Sequence, residues 1–197
     1  MHRLIFSIDT SIPRQLTDII KESIDDVSSP WREAMVQDPS DGQYKLIPSY
    51  RNSTHKWVTG DKWQCGYIWY YLDKLNKQYF GYDLNSYDSS ELQYTKYDEG
   101  QHYDWHVDES RGMIDPVTGE RNKGIRKLSF TLQLSDEDSY EGGDLVFQDF
   151  ATGQETTASR KMGSLIVFDS RVRHKVTPVT NGTRFALVGW VIGDSWR

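Results

Sequence analysis

The residues with a chemistry of their own lie in Tyr97-Asp98-Glu99-Gly100-Gln101-His102-Tyr103-Asp104-Trp105-His106-Val107-Asp108. His106 and Asp108 are two positions apart, and in a strand that spacing puts an imidazole and a carboxylate on one face. A neutral histidine nitrogen and a carboxylate oxygen, joined by one distant histidine, form the two-His-one-carboxylate set. That set suits non-haem Fe(II) and leaves three coordination positions open. His174 is the distant candidate: it follows the apolar run Leu165-Ile166-Val167-Phe168 and precedes another, whereas His2, His55 and His102 lack comparable strand contexts. A solvated ion pair for His106 and Asp108, and a plain core or surface imidazole for His174, fit the same spacings.

Arg184 supplies a different kind of evidence. It precedes Phe185-Ala186-Leu187-Val188 in an apolar strand, and a guanidinium turned into a barrel must find an anion to offset its desolvation. A dicarboxylate would serve, its far carboxylate taking the bidentate bonds arginine makes. An edge strand with Arg184 facing solvent is the alternative. Asn181-Gly182 reads as a hairpin turn, and a strict two-residue loop would put His174 and Arg184 on opposite faces. A shared site therefore requires a three-residue loop or a bulge, pairing Pro178 with Arg184 and Val176 with Ala186. His174, Val176, Arg184, Ala186, Val188 and Trp190 would then share an inner face. In the segment 127–134, Ser129, Thr131 and Gln133 form a polar face opposite Leu128, Phe130, Leu132 and Leu134. It lines a cofactor pocket or meets solvent, and solvent is the simpler assignment.

The elements that must position these groups follow from periodicity. Leu4 to Ile8 reads as a strand, and Ser11-Ile12-Pro13 opens a helix with Leu16, Ile19, Ile20, Ile24 and Val27 as its apolar stripe. Residues 28–60 are broken by Pro30, Pro39, Gly42 and Pro48 and predict loops, with one strand near 44–50. Ile68, Tyr71, Leu72, Leu75 and Tyr79 mark a second helix within 61–80, its aromatics assigned to the core. After Asn85 the period becomes strand-like, with segments at 92–97, 103–107, 127–134, 144–148, 164–168, 174–179 and 184–192. The polar stretch 109–126, directly after the metal-type motif, predicts a functional loop. Two helices followed by seven or eight strands give a mainly β fold with α, an antiparallel sandwich or jelly roll with helices on one outer face.

Composition narrows the partners. A chain of 197 residues fits one domain. We expect residues 1–85 to act as a helical support and 86–197 to form the β core. Seven Trp and twelve Tyr argue against disorder, and the net charge of −6 disfavours nucleic acid and anionic lipid. The single Cys65 forms no internal disulfide, and no segment approaches the ~20 apolar residues of a membrane span. A soluble, cytoplasmic protein is expected, with its oligomeric state left open.

Taken together these residues resemble the Fe(II)- and 2-oxoglutarate-dependent oxygenases of the prolyl 4-hydroxylase-like group, and the PKHD-type hydroxylases most. The resemblance covers roughly the last two-thirds of the chain. It runs through Arg51-Asn52-Ser53 with Trp57, the segments 76–84 and 93–100, and Tyr103-Asp104-Trp105-His106-Val107-Asp108-Glu109. It continues through 128–135, Tyr140-Glu141-Gly142-Gly143-Asp144-Leu145, 163–168, His174-Lys175-Val176-Thr177-Pro178-Val179 and Gly182-Thr183-Arg184. The resemblance implies a double-stranded β-helix, cupin-like, with iron on His106, Asp108 and His174 and 2-oxoglutarate anchored by Arg184. Tyr97 matches a tyrosine lining the active site, and Trp190 a tryptophan bordering the cosubstrate pocket. Gln133 stands where some relatives carry a tyrosine that also bonds the distal carboxylate, with Thr131 as the alternative second anchor. The implied cofactors are Fe(II), 2-oxoglutarate and O2, with ascorbate as an accessory reductant.

The implied activity is hydroxylation of a C–H bond, on a prolyl or similar side chain of a peptide or protein, with release of succinate and CO2. The same chemistry on a free amino acid or a nucleobase is the alternative. Arg121, Lys123, Arg126 and Lys127 form a small basic cluster suited to a nucleobase. A non-enzymatic jelly-roll binding module with a structural cation is the rival from another class. A buried anion clamp at Arg184 would distinguish the enzyme from that module.

Overall fold

The computed structural model describes residues 5–8, 12–25, 29–37, 43–88, 91–109 and 124–196. In chain order it has β1 (Ile5–Ile8), α1 (Arg14–Asp25), β2 (Arg32–Glu33), β3 (Val36–Gln37), β4 (Tyr44–Lys45), β5 (Arg51–Asn52) and β6 (Thr54–Thr59). Next come α2 (Trp63–Leu75), which runs into a π-helical turn at Asn76–Phe80, then β7 (Ser86–Tyr87), β8 (Glu91–Tyr97), β9 (His102–His106) and β10 (Ile125–Gln133). The chain continues with β11 (Tyr140–Gly142), β12 (Leu145–Gln148), β13 (Glu155–Thr157) and β14 (Leu165–Asp169). Last are β15 (Arg173–Val176), β16 (Val179–Gly182) and β17 (Arg184–Gly193).

Thirteen of these strands build two antiparallel sheets, and β11 with β16 and β3 with β4 form two separate two-stranded ones. The major, eight-stranded sheet runs β1-β14-β10-β17-β8-β6-β2 with β7 beside β17, and the minor, five-stranded one runs β13-β12-β15-β9-β5. Alternation divides the core accordingly. Leu92 and Tyr94, Leu128, Phe130 and Leu132, Leu165 and Val167, and Leu187 and Val191 turn outward from the major sheet. There they pack with Ile20 and Ile24 of α1 and Ile68 and Leu72 of α2. The opposite face of the same strands meets the minor sheet: Tyr97, Ile166 and Phe168 pack with Leu145, Phe147 and Val176. Helices on one outer face and a sandwich behind it are the arrangement expected for a jelly roll.

Several local expectations change. Ile19 is 51% exposed, because a helix turns about 100° per residue and Ile19 stands one step off the line of Leu16, Ile20 and Ile24. Val27 lies outside the described residues. Tyr79 is exposed and Tyr71 only half-buried, so the aromatics of the second helix are not all core. The π-helical turn rotates Tyr79 off the α2 stripe, and Gly81, at φ 69°, ends it by donating to Asn76 O. The stretch 28–60 is less irregular than its prolines suggest. Within it β6 pairs along its whole length with β8. Its sequence, Thr-His-Lys-Trp-Val-Thr, has no apolar run to announce a strand. The first 85 residues thus contribute strands to both sheets as well as the two helices. Of the loop expected at 109–126, residues 110–123 lie outside the described residues.

The hairpin expected between His174 and Arg184 does not form. Asn181 and Gly182 belong to β16, which pairs with β11. Arg184 pairs with Tyr97, and Ala186 with Thr95 and Gln133. Val176 pairs with Leu145 and Tyr103. The chain crosses from the minor sheet to the major one between these residues, so they meet across the sandwich and no bulge is needed to put them on one side. The polar face of β10 also turns inward: Ser129, Thr131 and Gln133 are buried opposite Trp190, Val188 and Ala186. The solvent assignment fails because both faces of this central strand are covered.

Candidate metal centre and anion pocket

β9 and β15 are neighbours in the minor sheet, and His106 and His174 are cross-strand partners. Antiparallel partners project to one face, which places the two rings with centroids 4.1 Å apart. Asp108 joins them by another route than strand alternation, since β9 ends at His106. The backbone N–H groups of Asp108 and Glu109 both donate to Ser170 O, at 2.9 and 2.8 Å, in the turn between β14 and β15. The carboxylate oxygens then lie 3.6 Å from His106 Nε2 and 3.4 Å from His174 Nε2. All three donor atoms fall within 4.8 Å of one another.

Hydrogen bonds fix the tautomers. His106 Nδ1 lies 2.7 Å from Asp104 O and His174 Nδ1 2.9 Å from Val172 O. A carbonyl only accepts, so each Nδ1 carries a proton, and Nε2 is the ring nitrogen left to bind at the centre. Burial, reinforced by the neighbouring His174, holds His106 down to about 3 and hence neutral. Burial alone would raise Asp108, but charge and hydrogen bonding from His174, with His106 and Arg126 beyond, outweigh it and hold the carboxyl well below its usual range. Two imidazole nitrogens and an ionised carboxylate are the donor set a divalent first-row metal takes, the metal displacing any proton from the ligating nitrogens.

Aromatic rings pack around the donors. Tyr103 stacks on His106 with centroids 3.6 Å apart, and the Arg51 guanidinium lies 4.6 Å from the Tyr103 ring. Phe168 meets His174 edge-on at 4.7 Å, backed by Phe147 at 4.9 Å. Tyr103 lay in plain view three residues before His106, whereas Phe147 and Phe168 are ordinary strand residues with no local signal.

Across the sandwich Arg184 is 2% exposed. Its Nη2 donates to Gln133 Oε1 at 2.9 Å, and its Nε is buried without a partner. The Tyr97 ring lies 5.5 Å from the guanidinium. Gly143 makes room for it: a Cβ there would sit 3.2 Å from Arg184 Cδ and 2.9 Å from Val179 Cγ2. A buried cation with an orphaned donor, and no carboxylate pairing with it among the described residues, is a site for an anion. Trp190 adds a second orphaned donor, its buried Nε1. Its ring is covered by Arg126, whose Nε binds Asp88 at 2.7 Å. Gln133 Nε2 donates to Ser159 O, which turns its oxygen toward Arg184, so Gln133 orients the guanidinium. Thr131 is buried on the same face.

Sequence reasoning missed one further group. His55 and Thr95 are cross-strand partners on the inner face of the major sheet, and His55 Nδ1 and Thr95 Oγ1 are both buried without partners. Burial, with Arg51 and Arg32 nearby, holds His55 down to about 4. His102 opens β9 and is not part of the cluster.

Comparison with known proteins agrees with this geometry. A PKHD-type hydroxylase of Synechococcus sp. is 46% identical over 94 residues, 47% of this chain and 37% of that protein. One from Hyphomonas neptunium is 38% identical over 94 residues, 47% of this chain and 38% of its own length. The matched stretch is thus well under half the length of these curated relatives. Among solved structures, a Pseudomonas putida prolyl-4-hydroxylase superposes with a TM-score of 0.70 at 21% identity, over 96% of this chain and 92% of that one. A viral collagen prolyl hydroxylase from Paramecium Bursaria Chlorella virus-1 gives 0.66 at 19%, covering 97% of both chains. Both establish the fold, a jelly roll of the oxygenase type. The family description 2OG-Fe(II) oxygenase superfamily matches residues 92–192, just over half the chain and the span holding all four of His106, Asp108, His174 and Arg184. The chain belongs to the 2OG-Fe(II) oxygenase superfamily.

Proposed function

We propose that this chain is an Fe(II)- and 2-oxoglutarate-dependent dioxygenase that hydroxylates a C–H bond in a prolyl or similar side chain of a peptide or protein. The observation that carries the reading is the pairing of a His-Asp-His donor set with Arg184, a buried arginine whose Nε has no partner. His106, Asp108 and His174 would hold the metal, and Arg184 would take the distal carboxylate of 2-oxoglutarate, assisted by the Thr131 hydroxyl. Tyr97 and Trp190 border that pocket. Once bound, Fe(II) with 2-oxoglutarate and O2 supplies oxidative decarboxylation to succinate and CO2 coupled to hydroxylation. The protein's own contribution is to keep the His106 imidazole neutral, to place the carboxylate, and to keep water from the guanidinium. The names of the relatives, hydroxylases and prolyl hydroxylases, support the substrate class.

Two rivals fit less well. A binding module with a structural cation has no use for a buried anion clamp. For a nucleobase, the basic cluster would have to be free, yet Arg126 is paired with Asp88 and Lys127 is buried with its Nζ 3.5 Å from the Trp196 ring. Arg121 and Lys123 lie outside the described residues. Turnover of labelled 2-oxoglutarate with Fe(II) and O2 tests the enzyme. The natural chain should release labelled CO2, His106→Ala should not, and Arg184→Ala should need far more cosubstrate. No turnover and no cosubstrate binding by the natural chain would sink the reading. A peptide array read for the mass of one added oxygen identifies the substrate.

A further inference from the structure

Asp108 differs from the two histidines in how it is held. His106 and His174 sit in a strand ladder, whereas Asp108 lies beyond the end of β9. Its backbone is fixed at the Ser170 carbonyl. The side chain of the next residue is fixed too: Trp196 Nε1 donates to Glu109 Oε1 at 2.6 Å. Trp196 is itself gripped. Lys127 Nζ lies 3.5 Å and Arg171 Cζ 4.0 Å from its ring, and Tyr82 meets it edge-on at 4.9 Å. Both cations are set into the framework around Asp108. Arg171 forms a two-pronged pair with the buried Asp169, at 2.9 and 2.7 Å, and Tyr82 donates to the same carboxylate. Lys127 O accepts from Ser170 N at 3.0 Å. One rigid knot around the 169–171 turn therefore holds the segment 108–109 twice, through Ser170 on the backbone and through Trp196 on the Glu109 side chain.

We propose that Trp196 is a positioning residue for the carboxylate ligand. By holding Glu109 it removes the rotation about the Asp108–Glu109 backbone that would let the carboxylate swing away from the two Nε2 atoms. A metal site tolerates little such motion, and loss of an outer contact that orients a ligand typically lowers metal affinity about 10- to 100-fold. The two cations serve because each attracts the indole face, and cation–π contacts confine a tryptophan that lies past the end of β17.

The inference rests on the metal reading above, so the test must separate the two. Co(II), titrated anaerobically and followed by its visible d–d absorption, reports metal binding without turnover. His106→Ala sets the level for a lost ligand. We expect Trp196→Ala and Glu109→Ala each to weaken Co(II) binding about tenfold. The double variant should be no weaker than either, because the two residues act through one bond. Trp196→Phe keeps a ring for the cations but loses the N–H, and should weaken binding as Glu109→Ala does. Glu109→Gln keeps an acceptor and should stay within about threefold of the natural chain. Melting curves of the metal-free variants, followed by circular dichroism, identify any that fail to fold; the Glu109 pair carries the test if Trp196→Ala is among them. A folded Trp196→Ala or Glu109→Ala with natural affinity and spectrum overturns the positioning role, as does a drop in melting temperature with no change in binding. A natural chain that binds Co(II) no better than His106→Ala overturns the metal reading and this role together.

Discussion

His106 shows how burial tunes a single group. Held at about 3 in the fold, it returns to about 6.5 when the chain unfolds, so between those values the unfolded state binds the extra proton. Stability of the metal-free protein should therefore fall as pH drops from about 6.5 toward 3, by up to about 1.4 kcal/mol per pH unit from this residue. His55, held at about 4, adds a slope of the same sign. Urea midpoints measured between pH 7 and 4 should show the decline, and His106→Gln should flatten it in part; an unchanged slope would place its origin elsewhere. Arg184 allows a second test at this scale. Arg184→Lys keeps the charge but loses the planar fork, and at a bidentate site that exchange is not conservative. The KM for 2-oxoglutarate should rise about 10- to 100-fold, equivalent to about 1.4–3 kcal/mol, with a smaller effect at saturating cosubstrate. His106, Asp108, His174 and Arg184 stood out in the sequence, because a His-x-Asp pair, an isolated strand histidine and an arginine in an apolar strand each break the local pattern, and the fold gathers the first three and buries the fourth. His55 and Thr95 break no pattern, and the bond from Trp196 to Glu109 spans 87 positions.

At the scale of elements, two glycines make opposite predictions. Gly143 has φ 62°, and a Cβ there would press on Val179 and Arg184. Gly143→Ala should cost about 1–3 kcal/mol of stability and raise the KM for 2-oxoglutarate by displacing the guanidinium. Gly66 lies inside α2, and a Cβ there would meet nothing within 4 Å, so Gly66→Ala should stabilise by about 0.5–1 kcal/mol. Thermal melts of the two variants side by side check the pair. Buried Phe130, on the helix side of β10, should cost about 3–5 kcal/mol when cut to Ala. The helices and the apolar strands were readable because their periodicity is strong. β6 was not, since it is held by its pairing with β8 and not by hydrophobicity. The hairpin expected at Asn181-Gly182 failed because a turn motif says nothing about which sheet the next strand joins, and here β16 lies between a strand of the minor sheet and one of the major sheet.

For the whole molecule, ligands that bind only the folded state must raise its melting point. Co(II) with 2-oxoglutarate should shift the natural chain upward and leave His106→Ala nearly unmoved, which thermal scans at fixed ligand concentration will show. No helix among the described residues is long and apolar enough to cross a membrane. The two sheets and the helices act as one support, since β17 buries one face against α1 and α2 and presents Arg184 from the other.

The place of β17 in the major sheet bears on how the chain is made. It follows all the other strands of the described residues yet pairs with both β8 and β10, so the β6–β8 and β10–β14 halves of that sheet are joined through it. During synthesis the two halves must wait, each with an unpaired edge, until residues 184–193 have emerged; such edges invite pairing with other chains. A nascent chain stalled before residue 184 would already hold His106, Asp108 and His174 but only the two unjoined halves of the sheet that faces them. A ribosome-arrested chain ending before β17 should aggregate where one extended past Gly193 stays dispersed.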